Sequence, residues 1–478
     1  MSKDDKRRYL ILKDHNIIKG LAILAFPVML NNFARTLHDL VDMFFLSKTD
    51  ATGSSPIAAI QITFPITFMY ISLAIGLSIA GTALISQYYG ANQVEQAKKY
   101  ATHLAILAVL IGIIFNLVAF FSAGPMINLV GILNPDPVDS AAVLMNATKY
   151  LKIRSFEMPF TFIFFAFTAI RQASGDTKSP VILGVITIIL NIILTPILVL
   201  GDVEIFGTTI SFFSLGVSGA ALATTAATIL VMPAGIYLLF KSKDGLTVST
   251  KYKKLEKRSS MSLLKTAAPA SFGQAITAIG FLVLNMFIFS YGEETVAAFG
   301  IGNRISSIFL HPVMAIGGVM AAYIGQNIGN LNPVRAKRVF REGIILSVGL
   351  MTIGSLIGLM IRRPMALLFF DAADPALELS VQYMFYLFAG LPLMAVFQAF
   401  IGVYNGTGRT IFTFWIGIIR LWLIRIPLII LFGRFTDWGS GGIWWAMLFS
   451  NFIIVFVGLT FFKFIKFDPK IDIEPQLK

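Results

Sequence analysis

Six polar residues crowd an otherwise apolar stretch near the start of the chain: Asn31, Asn32, Arg35, His38, Asp39 and Asp42. Apart from the adjacent pairs, neighbours in this set are three or four residues apart. On a helix that spacing stacks them into one narrow stripe. Two carboxylates, an imidazole, two amides and a guanidinium are the groups that exchange protons, hold cations and orient polar solutes. Arg35 and Asp39, one turn apart, neutralise each other. Asp42 has His38 one turn back and no strong base beside it. It is therefore the better candidate for a carboxylate that takes up and releases a proton or a cation. Burial raises the pKa of such a group and a bound cation lowers it. An ionised side chain at the centre of a bilayer costs at least about 2.5–3.5 kcal/mol, so the stripe must face protein or water. The plainer reading leaves Asp42 at the outer headgroup level, but an anchoring helix has no use for the rest of the stripe.

Further along, Asn191 and Thr195 share a helix face and precede Pro196. Proline frees a backbone carbonyl one turn back, and such carbonyls coordinate cations. Thr224, Thr225 and Thr228 lie on the next apolar run, where hydroxyls more often bond the helix backbone than a ligand. Arg154 and Glu157, three apart, read as a structural ion pair as readily as a functional one. The second half of the chain differs. Its apolar runs hold Arg304, Arg420 and Arg425, with Gln274, Asn285, His311 and Gln398, and no carboxylate lies deep within them. Asp371, Asp374 and Glu378 fall in a loop. Cation coupling is therefore expected in the first half. The arginines of the second half neutralise the first across a seam, snorkel, or bind an anionic group.

The elements that must position these residues are membrane helices. The chain has 478 residues, 56% of them hydrophobic and 13% charged, with a mean hydropathy of +0.79. A soluble domain carries roughly 25% charged residues, so this surface must face lipid. Twelve apolar runs are long enough to cross a bilayer: 17–47, 56–86, 101–131, 146–171, 180–200, 215–240, 262–290, 296–325, 340–370, 379–404, 410–433 and 441–465. The basic arm before the first run lacks a small-residue cleavage site, which makes that run a retained helix. Lys and Arg concentrate in alternate connections. Only Lys48, Lys149, Arg362, Arg363 and Arg434 lie on the side of the others, which predicts cytoplasmic N- and C-termini in the cell membrane. The net charge of +13 thus belongs to headgroup-facing segments, above all Lys251 to Arg258, and not to a nucleic-acid site. There is no Cys, hence no disulfide scaffold, thiolate metal site or Cys nucleophile. No HExxH or GxxxxGK[ST] motif occurs, which argues against metallopeptidase chemistry and ATP drive.

The chain also repeats itself. Gln87-Tyr-Tyr-Gly90-Ala-Asn-Gln-Val-Glu-Gln-Ala97-Lys98-Lys99 matches Gln326-Asn-Ile-Gly329-Asn-Leu-Asn-Pro-Val-Arg-Ala336-Lys337-Arg338 at an offset near 239. Pro125-Met126 matches Pro364-Met365 at the same offset. Tyr150, Pro159 and Gly175 match Tyr383, Pro392 and Gly408, Pro27 matches Pro269, and Asp42-Met-Phe-Phe matches Asn285-Met-Phe-Ile. Six spans per half give both halves one topology, a parallel repeat about an axis along the membrane normal. The expected fold is an all-α integral membrane protein, twelve transmembrane helices in two six-helix bundles. The N-terminal lobe covers 1–240, a basic cytoplasmic linker 241–261, the C-terminal lobe 262–466 and a cytoplasmic tail 467–478. Two such bundles suit transport by rocking around a central cavity.

With these features assembled, the chain resembles the multidrug and toxic compound extrusion (MATE) family, and looks most like its DinF-type prokaryotic branch. The likeness rests on Pro27 to Asp42, Gln87-xx-Gly90 with its repeat Gln326-Asn-Ile-Gly329, Arg171-Gln-Ala-Ser-Gly175-Asp176, Asn191 to Pro196, and Leu215-Gly-Val-Ser-Gly-Ala-Ala-Leu-Ala-Thr224. The resemblance implies a V-shaped pair of bundles that exports organic, often cationic, compounds against proton or sodium entry. It puts the family's first-helix aspartate on Asp42, its fifth-helix Asn on Asn191 and its sixth-helix Thr on Thr224. Asp42, Asp39, Asn191, Thr195 and Thr224 are then the cation-coupling set, with sodium as one ion for Asp42, Asn191 and Thr224. Asn31, Asn32, Arg35, His38, Gln274, Asn285 and Arg420 would line the substrate cavity. Two departures favour the proton: Thr195 stands where the family often has Asp, and apolar residues around Phe164 to Thr168 replace fourth-helix Asn residues. Thr277 stands near a second-lobe acidic position of another branch. The competing reading is a lipid-linked oligosaccharide flippase of the same superfamily, kept open by Arg304, Arg420 and Arg425. No enzyme, no cofactor beyond the coupling ion and no nucleic-acid partner is expected. Membrane lipid and small organic substrates are the expected partners of a monomer, since one chain holds a whole pathway.

Overall fold

The computed structural model describes residues 3–46, 55–133, 140–205, 208–211, 214–242 and 244–472. The N-terminal lobe comprises α1 (Lys3–Leu12), α2 (Ile17–Leu46), α3 (Ser55–Gly90), α4 (Val94–Leu133), α5 (Ser140–Ser155), α6 (Met158–Ala173), α7 (Lys178–Leu200) and α8 (Gly216–Lys241). The C-terminal lobe comprises α9 (Lys257–Phe289), α10 (Glu293–Gly329), α11 (Pro333–Ala366), α12 (Pro375–Gly406), α13 (Thr410–Ile418), a π-helical segment (Ile419–Arg425), α14 (Ile426–Phe435) and α15 (Gly441–Phe464). Among the described residues, eleven helices are long and apolar enough to cross a bilayer, counting α13 to α14 as one; α5 and α6, bent by 52° at their junction, make the twelfth crossing. In lipid every backbone polar group must be satisfied within the span, which is why each apolar run is a helix. Internal prolines such as Pro27, Pro196 and Pro269 interrupt none of them.

Several local features go beyond the sequence reading. The helices overrun the apolar runs; α3 has 36 residues and α4 has 40, because polar ends prolong a helix past the bilayer. The basic N-terminal arm is itself the short helix α1. Helix α9 begins at Lys257, inside the stretch assigned to the linker. The all-α fold carries one small antiparallel hairpin after α7, β1 (Asp202–Ile205) paired with β2 (Thr208–Ser211), with Asp202 opposite Ser211.

The repeat is visible in the backbone. Asn92 (φ 63°) and Leu331 (φ 57°) are the non-glycine residues with left-handed backbone among those described, and they are equivalent positions just after α3 and α10. Gly175 (φ 83°) and Gly408 (φ 72°) are equivalent positions after α6 and α12. A bulky side chain such as Leu331 is strained there, so the recurrence marks a turn that both lobes require.

The lobes interlock at one end and separate at the other. Leu263 and Ala267, from the start of α9, sit in the core of the N-terminal lobe with Leu84, Leu104 and Phe167. Ile17, Leu21 and Ala25, from the start of α2, sit in the core of the C-terminal lobe with Met320, Tyr323 and Phe400. Each lobe's first long helix therefore begins in its partner. Toward the other end the cores divide. One cluster around Tyr70, Ala123, Leu151 and Val199 belongs to the N-terminal lobe alone. Those around Phe388 and around Trp444 belong to the C-terminal lobe alone.

Candidate functional site

Three polar sites stand out: a hydrogen-bonded chain in the N-terminal lobe, the joint where the lobes meet, and two buried arginines in the C-terminal lobe.

The chain in the N-terminal lobe joins α7 to α8. Thr195 Oγ1 donates to Asn191 Oδ1 at 3.0 Å, and Asn191 Nδ2 donates to Thr224 Oγ1 at 2.9 Å. Thr224 in turn donates to the Ala220 carbonyl at 3.1 Å. Asn191 and Thr195 are buried and Thr224 is half-buried. The one-turn spacing of Asn191 and Thr195 lets them bond to each other, and Gly219 lets α8 approach α7: a Cβ there would lie 2.1 Å from the Leu198 carbonyl oxygen. Thr228 and Thr225 bond backbone carbonyls, of Thr224 and Ile153. Asn31 reaches the same helix from α2. Its Oδ1 is buried without a hydrogen-bond partner, and a Cβ on Gly184 would lie 2.4 Å from it. Asn32 is half-buried and Arg35 exposed. The side chains of His38, Asp39 and Asp42 lie outside the described residues. Arg154 donates to Glu157 at 2.8 Å across the α5–α6 bend, both nearly buried.

The joint follows the internal repeat. Gln87 Nε2 donates to the Gly406 carbonyl at 3.4 Å, and its equivalent Gln326 donates to the Ala173 carbonyl at 2.7 Å. Cβ atoms on Gly90 and Gly329 would lie 2.0 Å from the Gln326 carbonyl oxygen and 1.9 Å from that of Gln87. The backbones of α3 and α10 thus touch, a contact only glycine permits. Both chain termini brace this end. Tyr323 Oη donates to the Leu10 carbonyl at 2.9 Å and Arg335 to the Asp14 carbonyl at 2.7 Å. On the other lobe, Arg7 pairs with buried Asp176 at 3.1 Å and Asp4 accepts from the Gly245 N–H at 2.8 Å. The Lys470 N–H donates to Gln87 Oε1 at 2.9 Å and its Nζ to the Gly408 carbonyl at 2.7 Å. The segment read as a tail is thereby part of the joint.

In the C-terminal lobe Arg420 and Arg425 bracket the π-helical segment, 6% and 3% exposed. Arg425 donates to Ser450 Oγ and Asn451 Oδ1, each at 2.9 Å. Arg420 contacts Met394 Sδ at 3.0 Å and lies 4.1 Å above the Phe397 ring. Gln274 and Asn285 are half-buried on α9, and among the described residues neither is hydrogen-bonded to Arg420; Arg304 is exposed. Thr277 donates to its own helix, at the Gly273 carbonyl. Among the described residues no cluster of His, Asp and Glu could hold a metal ion.

The sequence profile of the MatE family matches residues 27–197 and 269–431, one match in each lobe. The chain belongs to the MatE family. It is 25% identical over 434 residues to the Bacillus subtilis (strain 168) relative named "Probable multidrug resistance protein YoeA", covering 90% of each chain. It is 26% identical to a Shewanella oneidensis FAD transporter, covering 87% of each. Among solved structures, the outward-facing conformation of a multidrug resistance MATE family transporter superposes with a TM-score of 0.86 at 20% identity, over 97% of this chain and 98% of that one. That likeness concerns the fold. Neither relative carries a flippase name.

Within the MatE fold the structure adds residues that the sequence reading did not single out for a role. Arg171 and Asp176, both fully buried and 3.7 Å apart, tie the α6–α7 turn to the linker. Arg171 also donates to the Leu238 carbonyl at 2.6 Å. Gln87 and Gln326 were legible as a repeat but not as partners, because nothing in a repeat says that its copies meet.

Proposed function

We propose that this MatE protein is a secondary active transporter that exports small organic compounds, cationic ones among them, in exchange for protons or sodium. The observation that carries the reading is the pair of homologous lobes, interlocked at one end and with separate cores at the other. The positive charge of the segments at the interlocked end supports a cytoplasmic location for both termini. The cleft then opens outward, and release of the joint would open it inward.

Coupling is assigned to the N-terminal lobe. Asn31 contacts α7 at Gly184, and α2 and α7 both begin at the interlocked end. Eleven residues, about three turns, lead from Asn31 to Asp42 and equally from Gly184 to Thr195. The equal counts support a role for Asp42 together with the chain of Thr195, Asn191 and Thr224. Thr195 offers a neutral hydroxyl, which favours a proton on Asp42 over a fully ligated sodium ion. The protein is proposed to act as a monomer in a lipid bilayer. The relatives carrying multidrug names support export of drug-like solutes.

The test is ethidium efflux from liposomes containing the purified chain, under separately imposed pH and sodium gradients. Gradient-driven efflux is expected, and the effective gradient identifies the ion. Folded protein that moves ethidium under neither gradient would overturn the reading for cationic solutes.

A further inference from the structure

We propose that Arg420, with Arg425 behind it, forms a binding subsite for a carboxylate or phosphate group inside the C-terminal lobe. The proposal rests on the transporter reading and deepens it, since it adds solutes with an anionic group to the substrates.

The argument starts from how this chain treats its other buried arginines. Arg154 faces Glu157 at 2.8 Å, and Arg171 faces Asp176 at 3.7 Å. Arg420 and Arg425 face no carboxylate among the described residues. Arg425 spends its donors on a neutral hydroxyl and a neutral amide. Arg420 has a thioether, a ring face and a buried Nε with no partner. The Nε atom of Arg171 lacks a partner too, so the missing carboxylate is what sets Arg420 apart.

A guanidinium has five N–H donors and stays charged in proteins. A thioether is a weak acceptor, and an aromatic face neutralises a cation only in part. Snorkelling does not relieve the charge: Arg420 lies ten residues into its span, about 15 Å along the helix, or half the thickness of a bilayer core. An anion beside them would relieve the cost of two positive charges at that depth. The π-helical winding brings residues five apart toward one line, which aligns Arg420 with Arg425 and concentrates the charge. A planar guanidinium matches a carboxylate or phosphate with two parallel hydrogen bonds. The flanking Phe397 ring and Met394 thioether suit an apolar or aromatic body attached to that anion.

The test is thermal melting of the full-length protein in detergent at low salt, with fluorescein as the anionic probe and ethidium as the cationic control. Fluorescein is expected to raise the melting temperature of the wild type by several degrees. Arg420→Met, which replaces an uncompensated charge by an apolar chain of similar length, is expected to melt at or above the wild type and to lose the fluorescein shift. Arg420→Lys should lose most of it, because an ammonium cannot present the fork. The ethidium shift should not fall in either variant, because a cation gains nothing from the guanidinium. If phosphatidylglycerol or inorganic phosphate, in place of fluorescein, stabilises the wild type and not Arg420→Met, the subsite holds and its anion comes from a lipid headgroup or free phosphate. An Arg420→Met protein that melts far below the wild type, or that keeps the anion shift, overturns the proposal. Ethidium efflux without any Arg420-dependent anion response removes this subsite and leaves the transporter; the converse removes export of cationic solutes and leaves the subsite.

Discussion

In the N-terminal lobe several buried polar side chains pair with one another. Thr195, Asn191 and Thr224 hand hydrogen bonds along a line, Arg154 faces Glu157, and Arg171 faces Asp176. In the C-terminal lobe, built on the same topology, Arg420 and Arg425 face neutral partners and a ring. The contrast shows what duplication leaves free. The joint keeps equivalent residues on both sides, because Gln87, Gly90, Gln326 and Gly329 must fit one another. Away from the joint each lobe has acquired its own charge. In one, the buried arginines are paired with carboxylates. The other holds two buried arginines that face no carboxylate among the described residues.

The largest expected effect tests that contrast directly. Arg154→Met leaves Glu157 buried without its partner and is expected to cost about 3–5 kcal/mol of stability. Arg425→Met removes a charge that has no carboxylate partner and is expected to stay within about 1 kcal/mol of the wild type, its lost hydrogen bonds offset by the desolvation avoided. Denaturation followed in detergent checks both. Equal losses would erase the distinction between the lobes.

A middle-sized effect sharpens the N-terminal side. Asn191→Ala removes the acceptor of the Thr195 hydroxyl and the donor to Thr224, and is expected to cost about 2 kcal/mol and to slow gradient-driven efflux. Unchanged efflux would separate this chain of hydrogen bonds from coupling. The smallest effects concern the joint. Gln326→Ala and Gln87→Ala should each cost about 1 kcal/mol, with Gln326 the larger because its bond is shorter, 2.7 Å against 3.4 Å. Melting of the two variants side by side measures the difference.

Much of this architecture was legible in the sequence. Spans follow from hydropathy, and the duplication from Gln87-xx-Gly90 and its copy. The helix α1 was not, since its sequence KDDKRRYLIL is charged and its order comes from contacts such as Leu10 with Tyr323. The α5–α6 bend was missed although Pro159, in the first turn of α6, signals it, since proline has no N–H with which to continue the α5 helix. Asn191 with Thr195 was legible from one-turn spacing, and the structure adds the bond across to Thr224. Arg420 and Arg425 were seen singly. Five residues apart on an α-helix they would diverge by about 140°, and only the π-helical segment turns both inward.

The most direct measurement is gradient-driven ethidium efflux from liposomes by the wild type, Asp42→Asn and Arg420→Met in parallel, with folding of each verified. The division of labour between the lobes predicts that Asp42→Asn loses its response to the gradient while Arg420→Met keeps it. Retained coupling in Asp42→Asn, or its loss in Arg420→Met, would contradict that division.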